Sequence, residues 1–553
     1  MSVEKLIVDH METWTSALQT RSTAGRGSSG KIDLYGIKKL RELILELAVR
    51  GKLVPQDPND EPASDLLKRI AAEKAELVKQ GKIKKQKPLP EISEEEKPFE
   101  LPEGWEWVHL PDIYCSISES SRKIKSSEIL PEGKYPVIEQ SQEFISGYCN
   151  NECLLIKLNN PVIVFGDHTR NIKFIDFDFV VGADGVKILS PILICERFFF
   201  WQLRSFKLDV RGYARHFKVL NSCLFALPPI AEQERIVEKV SSLMSLCDQL
   251  EQQSLTSLDA HQQLVETLLG TLTDSQNTAE LAENWARISE HFDTLFTTEA
   301  SVDALKQTIL QLAVMGKLVP QDPNDEPASE LLKRIAQEKA QLVKEGKIKK
   351  QKPLPPISDE EKPFELPEGW EWCRIGNIVN IKSELVSPKD YLNLYQVAPD
   401  IIEKGTGRVI SKRTVKESGV KVPNSRFYKG QIVYSKIRPS LSKVFLAEYN
   451  GLCSADMYPL DCYINPNYLL KYILSIPFLM QVKKAENRIK MPKLNSDSFY
   501  NIIVAIPPYN EQQAIFDKIN SIEAVCNGLI SYIGIYHKTQ LHLADALTDA
   551  AIN

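Results

Sequence analysis

Several things are missing from this sequence, and each absence closes off a class of function. No apolar run approaches the ~18 residues needed to cross a bilayer, and no charged-then-apolar leader opens the chain. The expectation is a cytoplasmic protein, neither secreted nor membrane-spanning. The ten cysteines are scattered, and the nearest pair, Cys149 and Cys153, has neither Cys-x-x-Cys spacing nor histidines beside it suited to zinc. They read as reduced, mostly buried thiols, and no metal site is expected. Net positive charge is absent too: −5 overall, with a pI near 6.0, excludes a general polyanion-binding tail, so any nucleic-acid surface must be local.

Catalytic signatures are equally scarce. Gly25-Arg26-Gly27-Ser28-Ser29-Gly30-Lys31 has phosphate-loop spacing, but Ile32 stands where a hydroxyl must hold Mg²⁺ and no apolar strand precedes it. Ile506-Pro507-Pro508-Tyr509 is one residue away from an amino-methyltransferase motif. Ile506 cannot accept an amino hydrogen, however, and no glycine-rich cofactor loop follows a strand. No spaced carboxylates, nucleophile set or His/Cys cluster stands out. The chain is expected to be non-catalytic and to bind no cofactor.

The sequence is rich, by contrast, in repetition. Residues 316–372 repeat residues 51–107 at a constant offset of 265, and all but six of the 57 pairs are identical. The stretches C-terminal to the two copies differ completely. Each such insert then ends in an apolar run, two prolines and Glu-Gln: Leu227-Pro228-Pro229-Ile230-Ala231-Glu232-Gln233 in one copy, Ile506-Pro507-Pro508-Tyr509-Asn510-Glu511-Gln512 in the other. The unit is therefore frame, insert, long helix, written twice. Identical frames bind identical partners, and divergent inserts recognise different targets.

The chain divides into eight segments. Residues 1–30 form an N-terminal arm, 31–107 and 302–372 the helical frames, 108–226 and 373–505 the inserts, 227–273 and 506–553 the long helices, and 274–301 a connector. In the frames, Leu34, Ile37, Leu40, Ile44, Leu47 and Ala48, and again Leu305, Ile309, Leu312 and Ala313, make a helical stripe. Gly51 and Gly316 close those helices, and Ser64 and Ser329 are expected to cap the next. The basic, proline-ended arms 81–90 and 346–355 read either as solvated linkers or as phosphate-backbone contacts beside a recognition domain.

Both inserts switch to short apolar runs broken by Gly, Pro, Asn and Asp, the pattern of strand-rich α+β domains. They can be laid over one another. In the first, a strand runs into His168, Thr169, Arg170 and Asn171, and a later basic loop carries Arg211, Tyr213, Arg215 and Lys218; Arg122 and Lys123 lie upstream. In the second, the matching strand runs into Ser435, Lys436, Arg438, Ser440 and Lys443, and the later loop carries Arg488, Lys490, Lys493 and Asn495. Guanidinium and amide groups match the major-groove edges of G and A, so these are candidate DNA contacts. Solvated loops have the same composition; that two basic loops fall at corresponding places puts base contact level with that reading.

In the long helices, Ile236, Val240, Leu243 and Leu250, and Ile515, Ile519, Ile522 and Leu529, keep three/four spacing. Neither helix can bury such a seam alone. The simplest expectation is that the two pair as an antiparallel coiled coil that places the inserts at opposite ends, with these residues as the seam and partner-docking positions.

The duplicated order, the Leu-Pro-Glu-Gly-Trp-Glu-Trp lead-in to each insert and the Pro-Pro-x-x-Glu-Gln exit resemble the DNA-specificity subunit of type I restriction-modification systems. Pro492-Lys493-Leu494-Asn495 matches the end of that family's target-recognition domains, whereas Phe217-Lys218-Val219-Leu220-Asn221 in the first insert departs from it. The resemblance implies that each insert reads half of a bipartite, asymmetric site on double-stranded DNA. It also implies that the helices hold two modification (adenine methyltransferase) subunits and set the gap, and that two restriction (ATP-dependent translocase/endonuclease) subunits join them. S-adenosylmethionine, ATP and Mg²⁺ would be used by those partners. The competing reading is a duplicated protein-protein scaffold; loss of binding with salt would favour DNA.

Overall fold

The computed structural model describes residues 3–21, 31–117, 123–182, 185–208, 215–486 and 492–552. The chain forms two compact units: Met1–Ser257 with Ile535–Asn553, and Leu258–Gly534. Each long helix, Ile230–Asp274 and Tyr509–Ile552, starts in one unit and ends in the other. At 1.5 Å per residue each is roughly 65–70 Å long.

The frames fold as their apolar stripes dictate. Helix Tyr35–Val49 buries Ile37, Leu40, Ile44, Leu47 and Ala48, and helix Glu299–Val314 buries Leu305, Ile309, Leu312 and Ala313. Both end in a Schellman pattern: Lys52 N donates to Leu47 O at 2.9 Å and Lys317 N to Leu312 O at 2.9 Å, each just past the left-handed Gly51 or Gly316. The next helices correct an expectation. They start at Ala63 and Ala328, one residue before the predicted Ser caps, with Pro62 and Pro327 in the cap position and no side-chain cap. The first helical N–H is satisfied from elsewhere: Ala63 N donates to Gly104 O and Ala328 N to Gly369 O, both at 2.8 Å. The Pro-Glu-Gly-Trp lead-in supplies the cap that serine was expected to give.

Those second helices grip the inserts. Lys74 Nζ donates to Pro111 O at 2.6 Å and to Gln86 Oε1 at 2.9 Å. Lys339 Nζ donates to Gly376 O, Val379 O and Gln351 Oε1 at 2.6, 3.0 and 3.2 Å. Burial pushes the Lys339 amine down to about 8 and lowers that of Lys74.

The two inserts share the strand order of one sheet and differ in the other, where the fourth strand adds to opposite edges, Gly147–Cys149 beside Tyr135–Ile138 in the first insert and Leu385–Val386 beside Asn424–Phe427 in the second. In the first, a four-stranded antiparallel sheet runs Tyr114–Ile117, Val186–Pro191, Val162–Gly166, Ile172–Ile175; in the second it runs Val379–Ile381, Met457–Cys462, Ile432–Ser435, Val444–Leu446. A second four-stranded sheet in each contains one parallel pair, Tyr135–Ile138 with Phe179–Val181 or Tyr395–Val397 with Gly451–Ser454. Each insert is closed where it leaves the frame. Glu106–His109 pairs antiparallel with Leu224–Leu227, and Glu371–Arg374 with Ile503–Ile506.

The repeated motifs meet across that closure. Trp105 Nε1 donates to Glu232 Oε2 at 2.9 Å, and Trp370 Nε1 to Glu511 Oε2 at 2.9 Å. Gln56 and Gln321 from the Pro/Asp turns donate to the other carboxylate oxygen at 3.0 and 3.2 Å. The next residue, Gln233 or Gln512, accepts at 2.9 Å from the backbone N–H of Cys195 or Asn465 inside the insert. So Glu-Gln locks the frame with one side chain and the insert with the next. Burial raises both glutamate pKa values against their hydrogen bonds.

The seam residues turn inward. Ile236, Val240, Leu243 and Leu250 are buried, as are Ile515 and Ile519, while Ile522 and Leu529 are half-buried. In the second unit Ile515, Ile519, Cys526 and Ile533 share one apolar cluster with Val265, Leu269 and Leu272 and with the frame's Leu305, Ile309 and Leu312. This corrects their assignment as partner-docking positions: they seal the protein's own core, and the seam includes a third helix. Truncating a buried leucine of this kind costs about 2–5 kcal/mol. Among the described residues, no helix is long and apolar enough to cross a membrane, and no cluster of His, Cys, Asp and Glu is placed to hold a metal ion.

Candidate nucleic-acid interface

The strand Val162–Gly166 is buried along its whole length, so its direction is fixed by the core, and the chain emerges from it into a tight turn. Gly166 N donates to Asn171 O at 2.8 Å, and Arg170 N donates to Gly166 O at 2.8 Å. Arg170 itself sits at φ +62°, a left-handed conformation rare for a residue with a Cβ. The matching buried strand, Ile432–Ser435, runs into a turn in which Arg438 has φ +45°. Two unrelated loop sequences thus place an arginine in left-handed backbone beyond the same strand of the same sheet. Conformations of this cost persist where the surroundings over-determine them.

In the first insert the turn is wired to Gln140, which sequence reasoning missed. Thr169 Oγ1 and Asn171 Nδ2 donate to Gln140 O at 2.5 and 2.9 Å, and His168 N donates to Gln140 Oε1 at 3.1 Å. Thr169 and Asn171 therefore shape the turn first. Arg170 is half-buried and donates from one Nη to Leu208 O at 2.7 Å. It lines a cavity of about 500 Å³ with Gln142, Asn171, Lys173 and Arg204. Lys173, also missed, is buried, and its ammonium donates to Glu139 O at 2.8 Å and Phe144 O at 3.3 Å, with burial lowering its pKa. The later loop joins the same end: His216 N donates to Asp167 O and Phe217 N to Asp167 Oδ1, both at 2.8 Å. Arg215 and Lys218, on either side, are exposed, and Lys123 pairs with Val181 in a neighbouring bridge. Arg122, Arg211 and Tyr213 lie outside the described residues.

The second insert brings its loops together by backbone. Arg438 N donates to Pro492 O and Leu494 N to Lys436 O, each at 2.9 Å, so residues 436–438 and 492–494 form a short ladder with Ile437 opposite Lys493. Asp456 holds the local charge in check, 4.0 Å from Lys436 and 3.3 Å from Lys493. Lys436 Nζ also donates to Ala455 O at 2.8 Å and lies 5.3 Å from the centre of the Tyr458 ring. Arg438 is exposed, and its guanidinium has no partner among the described residues. Lys493 is exposed as well. Ser440 is half-buried, its N–H donating to Glu486 Oε1 at 3.1 Å. Other candidates have structural duties. Asn495 caps helix Ser496–Tyr500, accepting from Ser498 N at 2.7 Å, and Lys443 donates to Pro399 O. Ser435 is corrected outright: it is fully buried and its hydroxyl donates to Ile437 O at 3.0 Å. A strand-end serine looks the same in sequence whether it points in or out. Arg488 and Lys490 lie outside the described residues.

Each unit thus offers a cluster of cations and amides at one end of a rigid sheet; among the described residues no nucleophile or metal set stands beside it. The family model described as the type I restriction modification DNA specificity domain matches the chain twice, over residues 102–260 and 367–533. The chain belongs to that DNA-specificity family. Both matched stretches begin in the Leu-Pro-Glu-Gly-Trp lead-in and end within a long helix, so the Trp-Glu lock lies inside each family domain. Its relatives include the type I restriction enzyme EcoAI specificity subunit of Escherichia coli, 51% identical over 100% of both chains. The EcoEI specificity subunit of Escherichia coli is 49% identical, again over 100% of both. The EcoDI specificity subunit from the same organism is 28% identical over 77% of this chain and 82% of its own.

Proposed function

We propose that this chain is the DNA-specificity subunit of a type I restriction-modification complex, in which each insert reads one half of a bipartite, asymmetric site. The observation that carries the reading is the pair of left-handed arginines, Arg170 and Arg438, held at matched positions beyond matched strands of the sheet whose order the two inserts share. A duplicated scaffold made only to bind proteins has no need of two such arginines amid basic loops; a reader of two different base sequences does. The chain supplies no chemistry of its own. Two modification subunits methylate adenine with S-adenosylmethionine, and restriction subunits use ATP and Mg²⁺. Val525 and Tyr532, apolar and exposed on the second long helix, are candidate contacts for a modification subunit.

The test is the methylated motif in cells carrying the complex with Arg170→Ala or Arg438→Ala. Each change should cost about 1–3 kcal/mol of specific binding and relax bases in its own half-site only. If Arg438→Ala altered the half-site assigned to residues 108–226, or left binding untouched, the assignment of one half-site per insert would be wrong.

A further inference from the structure

The lysine-rich arm of the second frame, residues 346–355, is anchored where a solvated linker would be free. Arg374, buried, donates from Nε to Pro355 O at 2.8 Å and from Nη2 to Pro356 O at 3.0 Å. Lys339 donates to Gln351 Oε1 at 3.2 Å, and Lys352 pairs with Asp497 at 3.2 Å. Ile348, Gln351, Leu354 and Ile357 are the half-buried residues of the stretch, a spacing of three that fits polyproline II geometry. Lys349, Lys350 and Lys352 are left exposed on its outer side. Lys349 and Lys350 have no acidic partner among the described residues. A cleft of about 570 Å³ runs along the arm, and Lys382 also lines it.

Like charges held close together on a pinned backbone repel one another and concentrate positive potential, which a polyanion relieves. The position of the arm says which polyanion. Asp497, which holds Lys352, lies in the first turn of the helix capped by Asn495, and Asn495 is two residues from Lys493, the ladder partner of Ile437 beside Arg438. Four residues of chain span at most about 14 Å, which is about four base pairs of duplex at 3.4 Å each. We propose that residues 346–355, with Lys382, form a sequence-independent clamp on the phosphate backbone of duplex DNA, just outside the bases approached by the Arg438 turn. The inference rests on the DNA-reading function proposed above. The first frame carries the same ten residues at 81–90. There, counting back from the closing strands Leu224–Leu227 and Ile503–Ile506, exposed Lys218 stands at the position equivalent to Asp497. That arm lines its own cleft with Asp112.

The experiment uses the complex assembled with its modification subunits, carrying Lys349→Ala with Lys350→Ala, bound to cognate and scrambled duplexes across a salt series. The slope of log affinity against log salt should become shallower by about two, at ~0.9 for each phosphate no longer neutralised. Affinity should fall by the same factor on both duplexes, the methylated motif should be unchanged, and phosphate-ethylation interference should disappear only on the flank of the second half-site. Replacing both lysines with arginine should restore the slope. An unchanged slope and interference pattern overturns the clamp, as does loss of a modification subunit from the variant complex. If the unaltered complex fails to distinguish cognate from scrambled duplex, the DNA-reading function itself falls; if it distinguishes them and the variant binds identically, only the clamp does.

Discussion

Gly316 shows how one residue can be required for two independent reasons. Its φ of +71° is a left-handed conformation, and a Cβ there would lie 2.4 Å from the Pro367 ring. Gly346, thirty residues on, has φ +69° and nothing within 4 Å of the same position. Gly346→Ala should therefore cost only the backbone term, about 1 kcal/mol. Gly316→Ala should cost appreciably more, about 2–4 kcal/mol, because the proline of the lead-in must also move. Chemical denaturation of the two variants makes the comparison, and equal losses would mean that the Pro367 contact yields freely. Gly316 was legible in sequence as a helix terminator; the clash that separates it from Gly346 was not, because it joins residues brought together only by folding.

The same division holds for whole elements. Frame helices, long helices and the switch to strand-rich inserts could be read from periodicity and repetition, since those signals are local. The strand order of the inserts could not, because strands of two to six residues are paired by contacts distant in sequence. Nor could the arginine conformations, Gln140, Lys173 or Arg374, each of which has meaning only through its partners. Lys339 is a further case: an ordinary exposed-looking lysine on a helix whose amine in fact holds the insert by Gly376 O and Val379 O. Its folded pKa, near 8, lies below the ordinary lysine value of 10.5. Between those values the unfolded chain binds a proton that the folded chain has released. Stability from this residue therefore rises as pH climbs from about 8 to 10.5. Relative to Lys339→Met, the wild-type melting temperature should increase across that window, and a difference that stays flat with pH would refute the depressed value.

For the molecule as a whole, the boundary between the two units falls at Ser257 in one long helix and at Gly534 in the other. Spacing between the two reading sites is expected to track helix length. Four residues inserted near Leu255 and four near Ile533 add about 6 Å to each helix and nearly keep its rotation. At 3.4 Å per base pair, the unread gap in the methylated motif should lengthen by one or two base pairs with both half-sites intact. An unchanged gap, read by sequencing methylated DNA, would assign spacing to the partner subunits instead.

The six positions at which residues 51–107 and 316–372 differ are exposed or half-buried in both copies, and each insert is closed by one two-stranded ribbon of fixed register. At the level of heredity this makes the insert a cassette. Homologous recombination anywhere within the two near-identical stretches would replace an entire reading domain while keeping the Trp-Glu lock that closes it. Exchange between the two copies of one gene would fuse the start of one unit to the end of the other without a seam. New specificity is therefore reached in a single crossover, with no compensating substitution, and lineages should diversify by shuffling inserts faster than by altering the residues within them.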